Sequence, residues 1–247
     1  MRARSTVAVL SAVLLSGGVT ACSRTAADGA QRPTVYAAAS LAGVLPAIAP
    51  EATYSFAGSD QLAFQIAQGA PADVFASANA RYPEELHARG LVETPVVFAY
   101  NALVVIVPRA NPAAIDSTDD LTRPGIRLVM GDRTVPVGEY TRTAFARLGL
   151  QAALRNVVSE EPDVRGVVAK VALGEADAGV VYRTDVLGER RRLRVIPIPQ
   201  RAQPAVAYTV AVIASARNPS AARAFVRRLL SPDGRRRLIG HGFRPAG

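Results

Sequence analysis

Ala102-Leu103-Val104-Val105-Ile106-Val107-Pro108 decides the architecture. Five β-branched or leucine side chains in a row, with no polar residue between them, predict a strand buried on both faces; a half-wet strand would alternate. Pro108 closes the run because it has no N–H for a ladder. A comparable strand, Tyr208 to Ile213, lies within the alternating apolar run Val206–Ala214. Between the two sits a complete series of strand and helix patterns, and before the first sits another. Two long strands bracketing a second series predict two lobes joined by two crossing segments, with a ligand cleft between them that closes by hinge motion.

Upstream of that stretch, short apolar runs alternate with helical patterns, as βαβ units do. Strands are predicted at Thr34–Ala38, Thr53–Phe56 and Asp73–Ser77, and helices at Ser40–Ala49, Ser59–Gln68 and Pro83–Arg89. An apolar stretch from Val96 leads into the deciding strand. Downstream, strands are predicted at Arg127–Gly131, Ala178–Tyr182 and Leu193–Ile198, and helices at Gly138–Leu148 and Val164–Leu173. Helices Pro219–Leu230 and Pro232–Gly240 finish the chain. The expected division is residues 33–106 plus 209–247 for lobe I and residues 107–208 for lobe II, the first lobe being completed by the C-terminal helices.

The N-terminus bears on compartment. Arg2 and Arg4 precede a short apolar run, Val7–Leu15, followed by small residues up to Val19-Thr20-Ala21-Cys22. The run is too short to span a bilayer and has the flanks of a cleaved signal, expected over residues 1–21. Val-Thr-Ala-Cys resembles the bacterial lipobox, which makes Cys22 a lipidation site; a plain secretory signal with a chance cysteine is the alternative. Residues 22–32 read as a polar tether. Cys22 is the only cysteine, so disulfides and cysteine metal sites are excluded.

The formal charge is +9, or +7 once Arg2 and Arg4 leave. Basic chains can bind nucleic acid or anionic lipid. Here Arg190-Arg191-Arg192 and Arg235-Arg236-Arg237 lack interleaved aromatics, Lys170 is the only lysine, and alanine is abundant. That pattern reads as solvated surface with no nucleic-acid partner.

No nucleophile elbow, P-loop or His-Glu-x-x-His string is present, so an enzyme is not expected. His87 and His241 read as exposed, and Glu160-Glu161 and Asp119-Asp120 as solvated loop charge or helix starts. What recurs is a small or hydroxylated residue between a strand and a helix: Ala39-Ser40-Leu41, Gly58-Ser59-Asp60, Pro136-Val137-Gly138 and Pro162-Asp163-Val164. Each taken singly is an ordinary cap. Four together, two in each expected lobe, suggest anion binding, because a helix start offers unpaired N–H groups and a partial positive charge.

Several ordered strings resemble the periplasmic molybdate-binding proteins of ABC importers. They are Tyr36-Ala37-Ala38-Ala39-Ser40-Leu41, Ser55-Phe56-Ala57-Gly58-Ser59, Gln68-Gly69-Ala70-Pro71-Ala72-Asp73-Val74-Phe75-Ala76-Ser77-Ala78, Gly131-Asp132 with Val135-Pro136-Val137-Gly138-Glu139-Tyr140, Asp163-Val164-Arg165-Gly166 and Gly179-Val180-Val181-Tyr182. The resemblance implies a type II periplasmic-binding-protein fold of the α/β class: two lobes, each a mixed, mainly parallel sheet flanked by helices, with a cleft between. It implies a molybdate or tungstate ligand held by Ser40 and Ser59 hydroxyl and N–H donors, by the N–H groups of Val137 and Val164, and by the phenol of Tyr182. Direct coordination of a metal cation and a cofactor are not implied. A lipid-anchored monomer outside the cytoplasmic membrane, delivering to an ABC permease with its ATPase, is. Sulfate or another oxyanion, or a ligand-sensing lipoprotein module, remain as alternatives.

Donors alone suit a deprotonated dianion, which has only acceptor oxygens, whereas hydrogen phosphate also needs an acceptor. Asp60, beside Ser59, is therefore expected to face outward. Arg165 is expected to point away from the ligand or to pair with Asp163 or a loop acid.

Overall fold

The computed structural model describes residues 32–246. The expected signal (1–21), Cys22 and all of the tether but Arg32 lie outside the described residues. Among the described residues no helix is long and apolar enough to cross a membrane.

Two mixed sheets form the fold. The first has six strands: β1 (Thr34–Ala38), β2 (Thr53–Ala57), β3 (Val74–Ser77), β4 (Val96–Asn101), β10 (Val206–Val212) and β11 (Arg244–Pro245), in the order β11-β4-β10-β3-β1-β2. The second has five: β5 (Leu103–Pro108), β6 (Leu128–Gly131), β7 (Val157–Glu161), β8 (Ala178–Tyr182) and β9 (Leu193–Pro197), in the order β7-β6-β8-β5-β9. Parallel pairing is confined to β3-β1-β2 and β7-β6-β8. The long strands β10 and β5 run antiparallel to their neighbours, so the expectation of mainly parallel sheets holds only for those three-strand blocks.

Helices α1 (Leu45–Ile48), α2 (Ser59–Ala67), α3 (Arg81–Ala88), α6 (Pro219–Leu230) and α7 (Pro232–Gly240) are joined in sequence to strands of the first sheet. Helices α4 (Pro136–Leu148) and α5 (Val164–Ala172) connect strands of the second. Buried Asp73, just before β3, ties together the starts of β1 and α6. Its two carboxylate oxygens accept from Thr34 N (2.8 Å) and from Asn218 N (3.2 Å), at the caps of β1 and α6.

The deciding run does form a doubly buried strand. Leu103, Val105, Ile106 and Val107 are fully buried, each worth about 1.5–3 kcal/mol of apolar burial. The apolar stretch from Val96, however, holds two strands in different sheets, broken at Ala102. Residues 103–106, expected in the first lobe, pair in the second sheet, and residues 206–208, expected in the second, pair in the first. Hydropathy cannot register this change, because both strands are apolar and only their hydrogen-bond partners differ. Gln203 secures the crossing: its side chain accepts from Leu103 N (2.9 Å) and donates to Leu103 O (2.8 Å) and Ile198 O (3.1 Å). An amide here does what a neighbouring strand would do.

Two further expectations change. The helix expected at Ser40–Ala49 is a 3-10 turn at Ala39–Leu41 followed by the single turn α1, interrupted where Gly43 and Pro46 weaken helix propagation. Glu160 and Glu161, read as loop charge, end the edge strand β7, where charged side chains are tolerated. Glu161 pairs with Lys170 at 2.5 Å and Glu160 with Arg142.

Candidate functional site

The carboxyl ends of β1, β2, β6, β7 and β8 carry the residues singled out above, and ligands of open α/β sheets bind outside strand carboxyl ends. After β1 the chain turns through Ser40. After β2, Gly58 caps α2; Val135 caps α4, with Pro136 at its first turn; Asp163 caps α5. β8 ends on Tyr182. Ser40, Val137, Val164 and Tyr182 all line one cavity of about 10 Å³ together with Gly58 and Asp163. That volume is roughly what a single water occupies. No lysine or arginine lines it.

Ser59 is the expected residue that does not line this cavity. It is buried directly behind Gly58, with its Oγ accepting from Ala78 N at 3.0 Å. The hydroxyl therefore ties α2 to the end of β3. Gly58 itself is placed by contact between the two halves: a Cβ there would lie 2.4 Å from the carbonyl oxygen of Pro162. Gly138 is similarly constrained, its Cβ position lying 2.0 Å from Asp132 O, so only glycine lets the start of α4 seat on the end of β6.

In the first turn of α4, Pro136 has no N–H and Gly138 N donates to Val135 O at 2.9 Å, so Val137 N–H is the donor left over. On α5, Asp163 Oδ1 accepts from Arg165 N (2.8 Å) and Gly166 N (3.2 Å), which leaves Val164 N–H outside that cap. The acid occupies its own helix and so directs acceptor capacity away from the cavity. Arg165 is exposed and lines a larger groove that adjoins the cavity through Ala39 and Ser40, and Arg165 itself does not line the cavity. It meets Asp163 through its backbone N–H, not through an ion pair.

Tyr182 is buried, and its hydroxyl has no hydrogen-bond partner among the described residues. Burial pushes its phenol well above the usual value, with Tyr208 and other acidic groups nearby adding to the effect, so it stays a donor. Tyr208, which sequence reasoning placed only as the start of a strand, shares a 2.8 Å hydrogen bond with Ser40 Oγ and packs edge-on to Tyr182 at 5.7 Å between ring centroids. In an apolar strand a tyrosine reads as packing, and only the fold brings its hydroxyl to Ser40.

Asp185 was also missed. Its Oδ2 accepts from Tyr182 N at 3.0 Å. Burial, opposed by that bond and assisted by the charge of Asp163, raises its carboxyl to about 7.

Asp60 does not face freely outward, as expected for it. Its Oδ2 accepts from Thr134 Oγ1 (3.0 Å) in the other half of the molecule, and its Oδ1 is buried without a partner. His87 and His241 use Nδ1 to contact the carbonyls of Val92 (3.0 Å) and Arg237 (2.9 Å). Among the described residues no group of three His, Cys, Asp or Glu side chains could hold a metal ion.

Residues 33–244 match the family model described as bacterial extracellular solute-binding protein. The chain is 36% identical over 252 residues to the molybdate-binding protein ModA of Mycobacterium tuberculosis, covering 95% of each chain. It is 33% identical over 228 residues to ModA of Haemophilus influenzae, covering 85% of this chain and 89% of that one. The periplasmic molybdate-binding protein of Azotobacter vinelandii shares the fold, with a TM-score of 0.79 at 21% identity over 87% of this chain and all of that one. The matched family model and the near full-length relatives establish that the chain belongs to the bacterial extracellular solute-binding proteins.

Proposed function

We propose that the protein binds molybdate or tungstate outside the cytoplasmic membrane and delivers it to an ABC permease, without catalysing a reaction. The donors are Ser40, the N–H groups at Ser59, Val137 and Val164, and the phenol of Tyr182. The observation that supports this most is the meeting of helix starts from both halves of the molecule at a cavity without a cationic lining. Each helix start contributes about half a positive charge, and the unpartnered phenol of Tyr182 adds a buried O–H donor for an acceptor oxygen.

The lobes divide at the two crossings, near Ala102 and Gln203. Separation of the lobes admits the anion, and their return brings the donors around it. Cys22 carries the lipid that keeps the protein at the membrane after residues 1–21 are removed, and the protein acts as a monomer. Asp163 and Asp185 put carboxylates near the anion, and the cap geometry of one and the raised proton affinity of the other limit their repulsion.

Titration calorimetry with molybdate, tungstate, sulfate and phosphate tests the reading. Tight binding of the first two and weak binding of phosphate are expected. Sulfate bound as tightly as molybdate would overturn the proposed specificity.

A further inference from the structure

A set of contacts outside the cavity spans the two halves at its rim. Asp60, in the first turn of α2, accepts from Thr134 Oγ1 at 3.0 Å, and the same hydroxyl lies 2.8 Å from Asp132 Oδ1. Tyr82 of α3 donates its hydroxyl to the carbonyl of Thr134. Arg81 lies over the Tyr82 ring at 4.4 Å, bonds its hydroxyl, and reaches Glu139 of α4 with an N–O distance of 3.6 Å. Asp60, Arg81 and Tyr82 lie on helices of the first half; Asp132, Thr134 and Glu139 lie around the start of α4 in the second. None of these six lines the cavity.

We infer that Asp60, Tyr82 and Arg81 form a latch on the Thr134–Glu139 segment that holds the lobes together independently of the bound solute. The chemistry of Asp60 argues for this. A carboxylate at the start of α2 competes with an anion for that helix's dipole. One of its oxygens is buried without a partner, and leaving a buried acceptor unpaired costs free energy. The Thr134 hydroxyl, whose single proton Asp60 shares with Asp132, partners the other oxygen only while the lobes are together. Tyr82 does likewise: its ring is packed in the core of the first half, so its hydroxyl is held where the Thr134 carbonyl arrives on closure. Contacts made only in the closed arrangement slow opening by their full strength, whether or not a solute is inside. Asp60 and Tyr82 are thus positioning residues that set how long a solute stays.

The identity of the released solute rests on the molybdate reading; the latch does not. The test combines release of radiolabelled molybdate after an unlabelled chase with small-angle scattering of the ligand-free protein. Asp60→Ala and Tyr82→Phe are each expected to release molybdate about 3- to 10-fold faster, the range for one modest hydrogen bond. Asp60→Asn, which keeps an acceptor for Thr134, is expected to release it at no more than the wild-type rate. The double variant Asp60→Ala with Tyr82→Phe should show a larger radius of gyration without ligand. Slower release in both Asp60→Ala and Asp60→Asn would show that the carboxylate acts only as a repelling charge and would overturn the latch. Unchanged release in every variant would also overturn it. Should the wild-type protein fail to hold molybdate, that reading falls and scattering alone decides: an expanded double variant supports the latch, and an unchanged one refutes it.

Discussion

Replacing Tyr182 by phenylalanine should move binding and stability in opposite directions. The hydroxyl is buried and has no partner among the described residues, while the ring is held by Tyr208. Removing it leaves the packing intact and deletes one donor. Without ligand, the change relieves a desolvated polar group and should stabilise the fold by about 1–2 kcal/mol. For a folded part of this size that corresponds to a rise of roughly 2–8 °C in the unfolding midpoint. With the anion bound, the lost hydrogen bond to a charged ligand should cost about 1.5–3 kcal/mol, or roughly 10- to 150-fold in Kd. Scanning calorimetry of the ligand-free protein and isothermal titration with molybdate read the two quantities separately. A nonspecific packing defect would lower both midpoint and affinity. An unchanged Kd would refute the reasoning outright, because the phenol would then not reach the anion.

Gly138→Ala places a methyl group 2.0 Å from Asp132 O and 2.3 Å from Gly131 O, both backbone atoms that cannot swing aside; a loss of about 3 kcal/mol is expected, and an unaltered unfolding midpoint would contradict it. Gln203→Ala removes the hydrogen bonds to both backbone groups of Leu103, so hydrogen exchange should quicken selectively at the Leu103 amide while the core of β8 stays protected. Asp185 titrates near 7 in the fold, against about 3.9 for an unfolded aspartate. The fold therefore binds the extra proton between those values, and this group's contribution to stability declines as pH rises from 4 through 7. Its ionisation also places a charge one hydrogen bond from Tyr182, so with the anion at the proposed site molybdate affinity should fall between pH 6 and 8 in the wild type. That fall should be absent in Asp185→Asn; a persisting fall would assign the titration to another group.

Much of the fold was legible because it rests on local patterns. Thr34–Ala38, Ala178–Tyr182, Pro219–Leu230 and Pro232–Gly240 begin and end where composition and periodicity put them. What sequence missed depends on partners distant along the chain. The break at Ala102 is set by a change of sheet. The edge strand β7 looks like a loop because an edge needs no continuous apolar face. At the site, the strand-to-helix turns around Ser40, Val137 and Val164 were visible as local motifs, and the structure brings them to one cavity with Tyr182. Ser59 was read as facing the ligand with its hydroxyl, but whether a serine at a helix start faces outward or ties back to a neighbouring strand depends on β3, which lies beyond any local window. Asp185, Tyr208 and the bridging role of Asp60 are products of tertiary contact and left no local mark.

The charges around the cavity favour a site that tolerates an anion over one that attracts it strongly. Three helix starts supply about half a positive charge each, and α5 spends part of its share on its own cap, Asp163. Asp163 and Asp185 act in the other direction, and no lysine or arginine lines the cavity to offset them. A single ion-pair partner would attract any anion of sufficient charge, including phosphate, and would hold it in a poorly defined geometry. Dispersed N–H and O–H donors bind well only when an acceptor oxygen meets each of them at hydrogen-bond distance. Such a site obtains its selectivity from the positions of its donors, and those positions are correct only when the two halves are together. Rim contacts such as Asp60 to Thr134 then serve recognition as well as retention, since they hold α2 and α4 at the separation on which the spacing of the donors depends.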